Sequence, residues 1–138
     1  MFIERSFGDV TISTDESRLD YIFIHNYLKN SYWTPNLPYG DLIKKMKHSV
    51  NFGVYLQDQQ IGYARIVTDF SVFAYLADVF ISPIHQGNGY SKMLIKTIIE
   101  HDDFKEMNRF FLRTEDAQGL YKQFGFKPLS NPEMMMER

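Results

Sequence analysis

Cysteine is absent from the 138 residues. That excludes a disulfide framework, a thiolate nucleophile and any thiolate-ligated metal. No apolar run approaches the roughly 18 residues that a membrane helix needs. The segment Met1–Val10 carries Glu4 and Asp9 where a signal peptide would have an apolar core. Repeats, low-complexity tracts and Pro/Gly/Ser-rich linkers are also missing, so nothing marks a domain boundary. A net charge of -2 lacks the basic surplus of a nucleic-acid surface. The one local exception, Lys44-Lys45-Met46-Lys47-His48, reads as a solvated helix face or a patch for a ligand or partner. The expectation is one cytoplasmic domain over residues 1–138, with no nucleic-acid or membrane partner and no metal.

What the chain does have is rings. Aromatic residues make up 16% of it, and large rings bury much area per side chain, so a sizeable core is within reach. Val10–Ser13 has the β-branched texture of a strand. Ser13 or Thr14 then caps a helix running to Lys29, with Asp15 and Glu16 in its first turn. A second helix starts near Tyr39 and carries Leu42, Ile43 and Met46 on one side. Strands follow at Phe52–Leu56, Ile61–Val67 and Val72–Ile81, the last apolar enough to be covered on both faces. Tyr90–His101 is helical, Arg109–Leu112 a strand, Ala117–Phe124 a short helix, and Lys127–Glu137 one or two edge strands. The order β-α-α-β-β-β-α-β-α-β(-β) predicts an α+β fold with a mixed, mostly antiparallel sheet.

Two segments carry chemistry. In Ile81-Ser82-Pro83-Ile84-His85-Gln86-Gly87-Asn88-Gly89-Tyr90-Ser91-Lys92, a strand stops at a proline and a glycine-bearing turn feeds an amphipathic helix. Glycines permit positive φ and close approach of a ligand, and a helix start offers free N–H groups and positive potential. Such a turn suits a phosphate or diphosphate. It is not a P-loop, since the Gly-x-x-x-x-Gly-Lys-Ser/Thr spacing is missing. A dinucleotide fingerprint fails too, because Lys92 stands where a third glycine is needed and three strands read as antiparallel precede the turn. Further on, Ala117, Leu120, Tyr121 and Phe124 form one helix face, and Gly125 is placed to end the helix with positive φ.

These two segments resemble the signatures of the GNAT superfamily of acetyltransferases. The turn is similar to Gln/Arg-x-x-Gly-x-Gly/Ala, with Gln86 and Gly89 matching and Ser91 replacing the last small residue. The second segment resembles Ala-x-x-x-Tyr-x-x-x-Gly-Phe through Ala117, Tyr121, Gly125 and Phe126; Thr114 replaces an asparagine common in the family. The resemblance covers roughly residues 50–126 and implies acetyl transfer from acetyl-CoA to an amine, without a covalent enzyme intermediate. It implies that Gln86, Gly87, Asn88, Gly89, Tyr90 and Ser91 hold the diphosphate of the coenzyme. It further implies that main-chain groups of Phe80 and Ile81 hold the pantetheine arm, that Tyr121 protonates the leaving sulfur, and that homodimers form through C-terminal strands. A CoA-binding or protein-interaction module without turnover is the alternative.

The remaining roles come from residue type and position. Asp78 is the one charge in an apolar strand, and burial there would raise its pKa towards that of a general base. Glu115 is a second candidate base. Tyr32 and Trp33, with Tyr39, flank the loop between the first two helices and, together with Arg65 and Asp69, are candidates for binding the acceptor. His25 reads as a surface residue of the first helix.

Overall fold

The computed structural model describes residues 1–138. The elements are β1 (Glu4–Phe7), β2 (Val10–Ser13), α1 (Tyr21–Leu28), α2 (Tyr39–Lys47), β3 (Val50–Leu56) and β4 (Gln59–Thr68). They continue with β5 (Phe73–Ile81), α3 (Tyr90–Ile99), β6 (Arg109–Leu112) and α4 (Gln118–Lys122). One six-stranded sheet runs β1-β2-β3-β4-β5-β6, antiparallel throughout except for the parallel β5–β6 pair. The α+β class and the mixed, mostly antiparallel sheet agree with the sequence expectation. No helix is long and apolar enough to cross a membrane.

Two buried clusters lie on opposite faces of the sheet. Ile12, Phe52, Val54, Ala64 and Leu76 meet Leu94, Ile95 and Ile98 of α3 and Tyr121 of α4. On the other face Tyr63 and Phe80 meet Ile24 and Leu28 of α1 and Leu42 and Met46 of α2. Each helix therefore offers one apolar stripe, as the three- and four-residue spacing requires.

Three boundaries differ from expectation. The first helix does not start at Ser13 or Thr14: Asp15 caps a 3-10 turn at Glu16–Arg18, Leu19 is extended, and Asp20 caps α1 by accepting from Phe23 N at 3.0 Å. Thr14 Oγ1 instead accepts from Ile3 N at 2.8 Å and pins the N-terminal strand. β1 is an additional strand whose Glu-Arg-Ser-Phe sequence has no apolar alternation; it exists because Gly8, at φ +60°, turns it back onto β2. The strands expected over 127–137 do not form. Pro128 and Pro132 have no N–H to give a ladder, and Pro132–Met134 is a 3-10 turn. The C-terminal strands through which a dimer was expected are therefore missing.

Candidate functional site: a cleft where two parallel strands part

β6 is short, and that shapes the site. Its pairing with β5 runs from Phe73↔Arg109 to Leu76↔Leu112 and stops, while β5 continues to Ile81. Beyond Leu76, one edge of β5 faces no strand. Towards β4 the register slips by one residue: Tyr63 pairs Phe80 and Arg65 pairs Ala77, so Asp78 and Val79 together oppose Ala64. Asp78 takes φ +56° at this bulge, a left-handed conformation that aspartate tolerates better than most residues.

The main-chain direction past the bulge follows from one bond. Ser82 N donates to Ile61 O at 2.7 Å, so in this antiparallel pairing Phe80 also turns its main chain to β4. Val79 and Ile81 then turn theirs to the open edge, and the Ile81 carbonyl accepts from Gln86 Nε2 at 2.9 Å. Phe80 does not present its main chain there, contrary to expectation. Its ring is buried on the α1–α2 face, stacked on Tyr27 with centroids 3.9 Å apart.

A cleft of about 950 Å³ occupies this parting. Asp78, Arg65, Lys45, Trp33 and Tyr32 line it from the α1–α2 side, and Tyr121 from the α4 side. Asp78 is 3% exposed at its side chain and receives three donors. Arg65 Nε reaches Oδ2 at 2.5 Å, Lys45 Nζ reaches the same oxygen at 2.8 Å, and Trp33 Nε1 reaches Oδ1 at 2.9 Å. Burial alone would push its pKa up, but the Arg65 and Lys45 charges and hydrogen bonds outweigh burial and hold it below the ordinary carboxylate value. The raised pKa expected for a general base is therefore corrected. Asp78 is a fixed carboxylate that binds two cations and an indole.

Tyr121 is 8% exposed, its hydroxyl engages no protein partner, and the oxygen is not sealed from solvent. It opens to the cleft. Burial, then the neighbouring Tyr32 and Asp116, push its pKa up to about 12, so it keeps its proton at neutral pH.

At the end of β5, the chain makes a 3-10 turn at Pro83–His85 and enters α3 through Gly87 and Gly89, at φ +84° and +80°. A Cβ at either glycine would meet no heavy atom within 4 Å, so backbone conformation, not crowding, requires glycine. No protein acceptor takes the N–H groups of Gly87, Asn88 or Gly89, and α3 has no side-chain cap. Asn88 turns its side chain back to His85 O at 3.0 Å. Gly87–Gly89 thus form an exposed row of free amides at a helix start, with Tyr90 and Ser91 half-buried behind them, adjoining the β5 edge but outside the cleft lining. These donors, and the free edge of β5, fit a diphosphate with an extended amide-bearing arm.

Comparison with known proteins fits this geometry. The acetyltransferase (GNAT) domain family matches residues 47–128, more than half of the chain.

The chain belongs to the GNAT acetyltransferase family.

Among solved structures, a GNAT-family protein of Xanthomonas campestris pv. campestris is 41% identical, with a TM-score of 0.90 over 94% of this chain and 92% of that one. FG08082 of Gibberella zeae, an acetyltransferase by name, is 29% identical over 87% of this chain and 80% of its own length. A Clostridium acetobutylicum protein solved with acetyl-CoA shares the fold at a TM-score of 0.66, with 16% identity, over 100% of this chain and 96% of that one.

In this GNAT chain the other candidates have definite places. Tyr32 Oη donates to Asp116 Oδ1 at 3.1 Å and accepts from Glu115 N at 3.2 Å, tying the α1–α2 loop to the β6–α4 loop across the cleft. Trp33 packs edge-on against Tyr32. Asp69 is not at the cleft: its Oδ1 accepts from Ser71, Val72 and Phe73 N and shapes the β4–β5 turn. His25 is half-buried; its Nε2 lies 2.7 Å from Leu37 O and its ring meets Tyr39 edge-on. It anchors the α1–α2 loop. Val79 and Asp116 are the site residues that sequence reasoning passed over, and Lys45 was singled out only as part of a basic run. Lys45 lies three residues after the buried Leu42 and next to the buried Met46, at the border between the core face of α2 and solvent.

Proposed function

We propose that the chain is an acetyl-CoA-dependent N-acetyltransferase acting by direct transfer to a primary amine. Acetyl-CoA supplies an acyl thioester, which the neutral amine attacks with release of the thiol. The reading is carried by one observation: an unpartnered tyrosine hydroxyl faces a cleft whose floor is a free strand edge leading to an uncapped, glycine-entered helix. Gly87–Ser91 are assigned the diphosphate, and Val79 and Ile81 the arm. The acetyl-CoA in the Clostridium acetobutylicum structure of the same fold supports the cosubstrate.

Tyr121 serves by hydrogen bonding. Burial holds the Tyr121 proton in place at neutral pH, so its O–H is available as a donor when negative charge develops on the sulfur. A neutral O–H that meets developing negative charge still lowers the barrier, at no cost in reorganisation. Asp78 is unsuited to taking the amine's proton, because a carboxylate with three donors is a weak base. Activity should therefore rise with pH along the titration of the acceptor amine itself.

Thiol release from acetyl-CoA across a panel of primary amines tests the reading. Turnover with at least one amine is expected, and Tyr121→Phe should lower kcat about 10- to 100-fold while acetyl-CoA affinity changes little. Coenzyme binding without turnover on any amine would leave a CoA-binding module and end the catalytic reading.

A further inference from the structure

Two cations share one carboxylate in the cleft. Lys45 and Arg65 both spend their charge on Oδ2 of Asp78, while Trp33 occupies Oδ1. Arg65 uses Nη1 on Ser49 Oγ at 3.2 Å and keeps its other terminal nitrogen free; Lys45 uses one of three ammonium hydrogens. Both side chains line the cleft, 22% and 15% exposed. The other carboxylates of the cleft, Glu115 and Asp116, stand on the β6–α4 loop and make no ion pair with either cation. Within the Lys45–Arg65–Asp78 group one partly buried positive charge is left over, with Arg113, Lys122 and Lys127 elsewhere on the lining, and its pull on an anion exceeds that of a cation in bulk water.

We propose that the acceptor is an amino carboxylate whose carboxylate docks on Lys45 and Arg65 beside Trp33. This rests on the acetyl-transfer reading above and names the acceptor class for it. The one surplus charge of this group beside Trp33 matches a carboxylate. The free terminal nitrogen of Arg65 and the spare hydrogens of Lys45 supply donors already in place. The amine end then points along the cleft, where Glu115 and Asp116 suit its ammonium form before the proton is lost. A polyamine, by contrast, would set a second cation against Lys45.

Trp33 is the one tryptophan of the chain and sits on Asp78, so its emission reports occupancy without any turnover. The protein is titrated with phenylalanine, phenylalaninamide, phosphoethanolamine and spermidine, and acetyl-CoA affinity is measured on the same samples. Phenylalanine should bind about tenfold tighter than its amide, the margin of a charge-assisted over a neutral hydrogen bond. Lys45→Met should erase that margin while keeping the Arg65–Asp78 pair that holds the fold, and Lys45→Arg should restore it. Equal or tighter binding of the amide, phosphoethanolamine or spermidine, no response to any amine, or a margin that survives Lys45→Met would overturn the proposal. Loss of acetyl-CoA binding in the same samples would sink the acetyl-transfer reading instead, and leaves the carboxylate margin readable.

Discussion

Asp78→Asn isolates the charge at the centre of the cleft. Asparagine matches the size of aspartate and tolerates φ +56°, so the bulge itself is not challenged. Trp33 Nε1 still finds an acceptor, but Arg65 and Lys45 lose their counter-charge. Breaking a fully buried pair costs about 3–5 kcal/mol. Here the cations are 15% and 22% exposed, and water offsets part of that, so about 2–3 kcal/mol is expected. For a domain of this size, that lowers Tm by about 10 °C. In urea the midpoint should fall with an unchanged slope. The sign of the pH dependence follows from the depressed folded pKa of Asp78. Its contribution is complete above the unfolded value of about 4 and is lost as pH falls through the folded value. The gap between wild type and Asp78→Asn should therefore be widest at pH 7 and close on acidification. A variant within about 0.5 kcal/mol of wild type at pH 7, or a gap unchanged at pH 3, would refute the picture of Asp78 as a counter-ion.

Gly89→Glu puts a side chain and a negative charge on the free amides before α3, at a φ of +80° that disfavours it; calorimetry should find no acetyl-CoA binding, with a folded protein about 1–2 kcal/mol less stable. Tyr32→Phe removes both bonds of the loop-to-loop tie; acceptor KM should rise several-fold, and Tm should stay nearly constant because the group is exposed. In alkali, Tyr55 and Tyr121, whose pKa values burial pushes up to about 12, and Tyr63, raised well above 10, should ionise above the ordinary tyrosine range, as followed by phenolate absorbance. Their folded pKa values lie above the unfolded value, so the stability they contribute is full below about pH 10 and is lost as pH rises towards 12.

Much of the fold was legible because local rules and tertiary packing agree. Leu94, Ile95 and Ile98 mark α3 by spacing alone, and all three are buried. Gly87 and Gly89 stand where positive φ is needed, and both adopt it. The errors arose where a partner far along the chain decides. β1 is a strand only because β2 is beside it, and the C-terminal segment carries prolines that its apolar content masked. Asp78 shows the same limit in the cleft. Its type and apolar surroundings indicate a buried carboxylate correctly, but the sign of its pKa shift is set by Lys45 and Arg65, which lie 33 and 13 residues away in sequence. The Tyr32–Asp116 contact spans 84 residues and has no sequence signal.

The parallel pairing of β6 with β5 has a bearing on how the molecule comes apart. Four residue pairs hold that strand, and they form only after the chain has passed over the sheet through α3. A strand held by so few pairs at the edge of a sheet opens locally at less cost than one in its centre. The segment from Arg109 to Phe126 should therefore exchange its amide hydrogens ahead of β3 and β4, each paired on both sides. Tyr121 belongs to that segment, so the hydroxyl proposed to meet the leaving sulfur would move with any such opening.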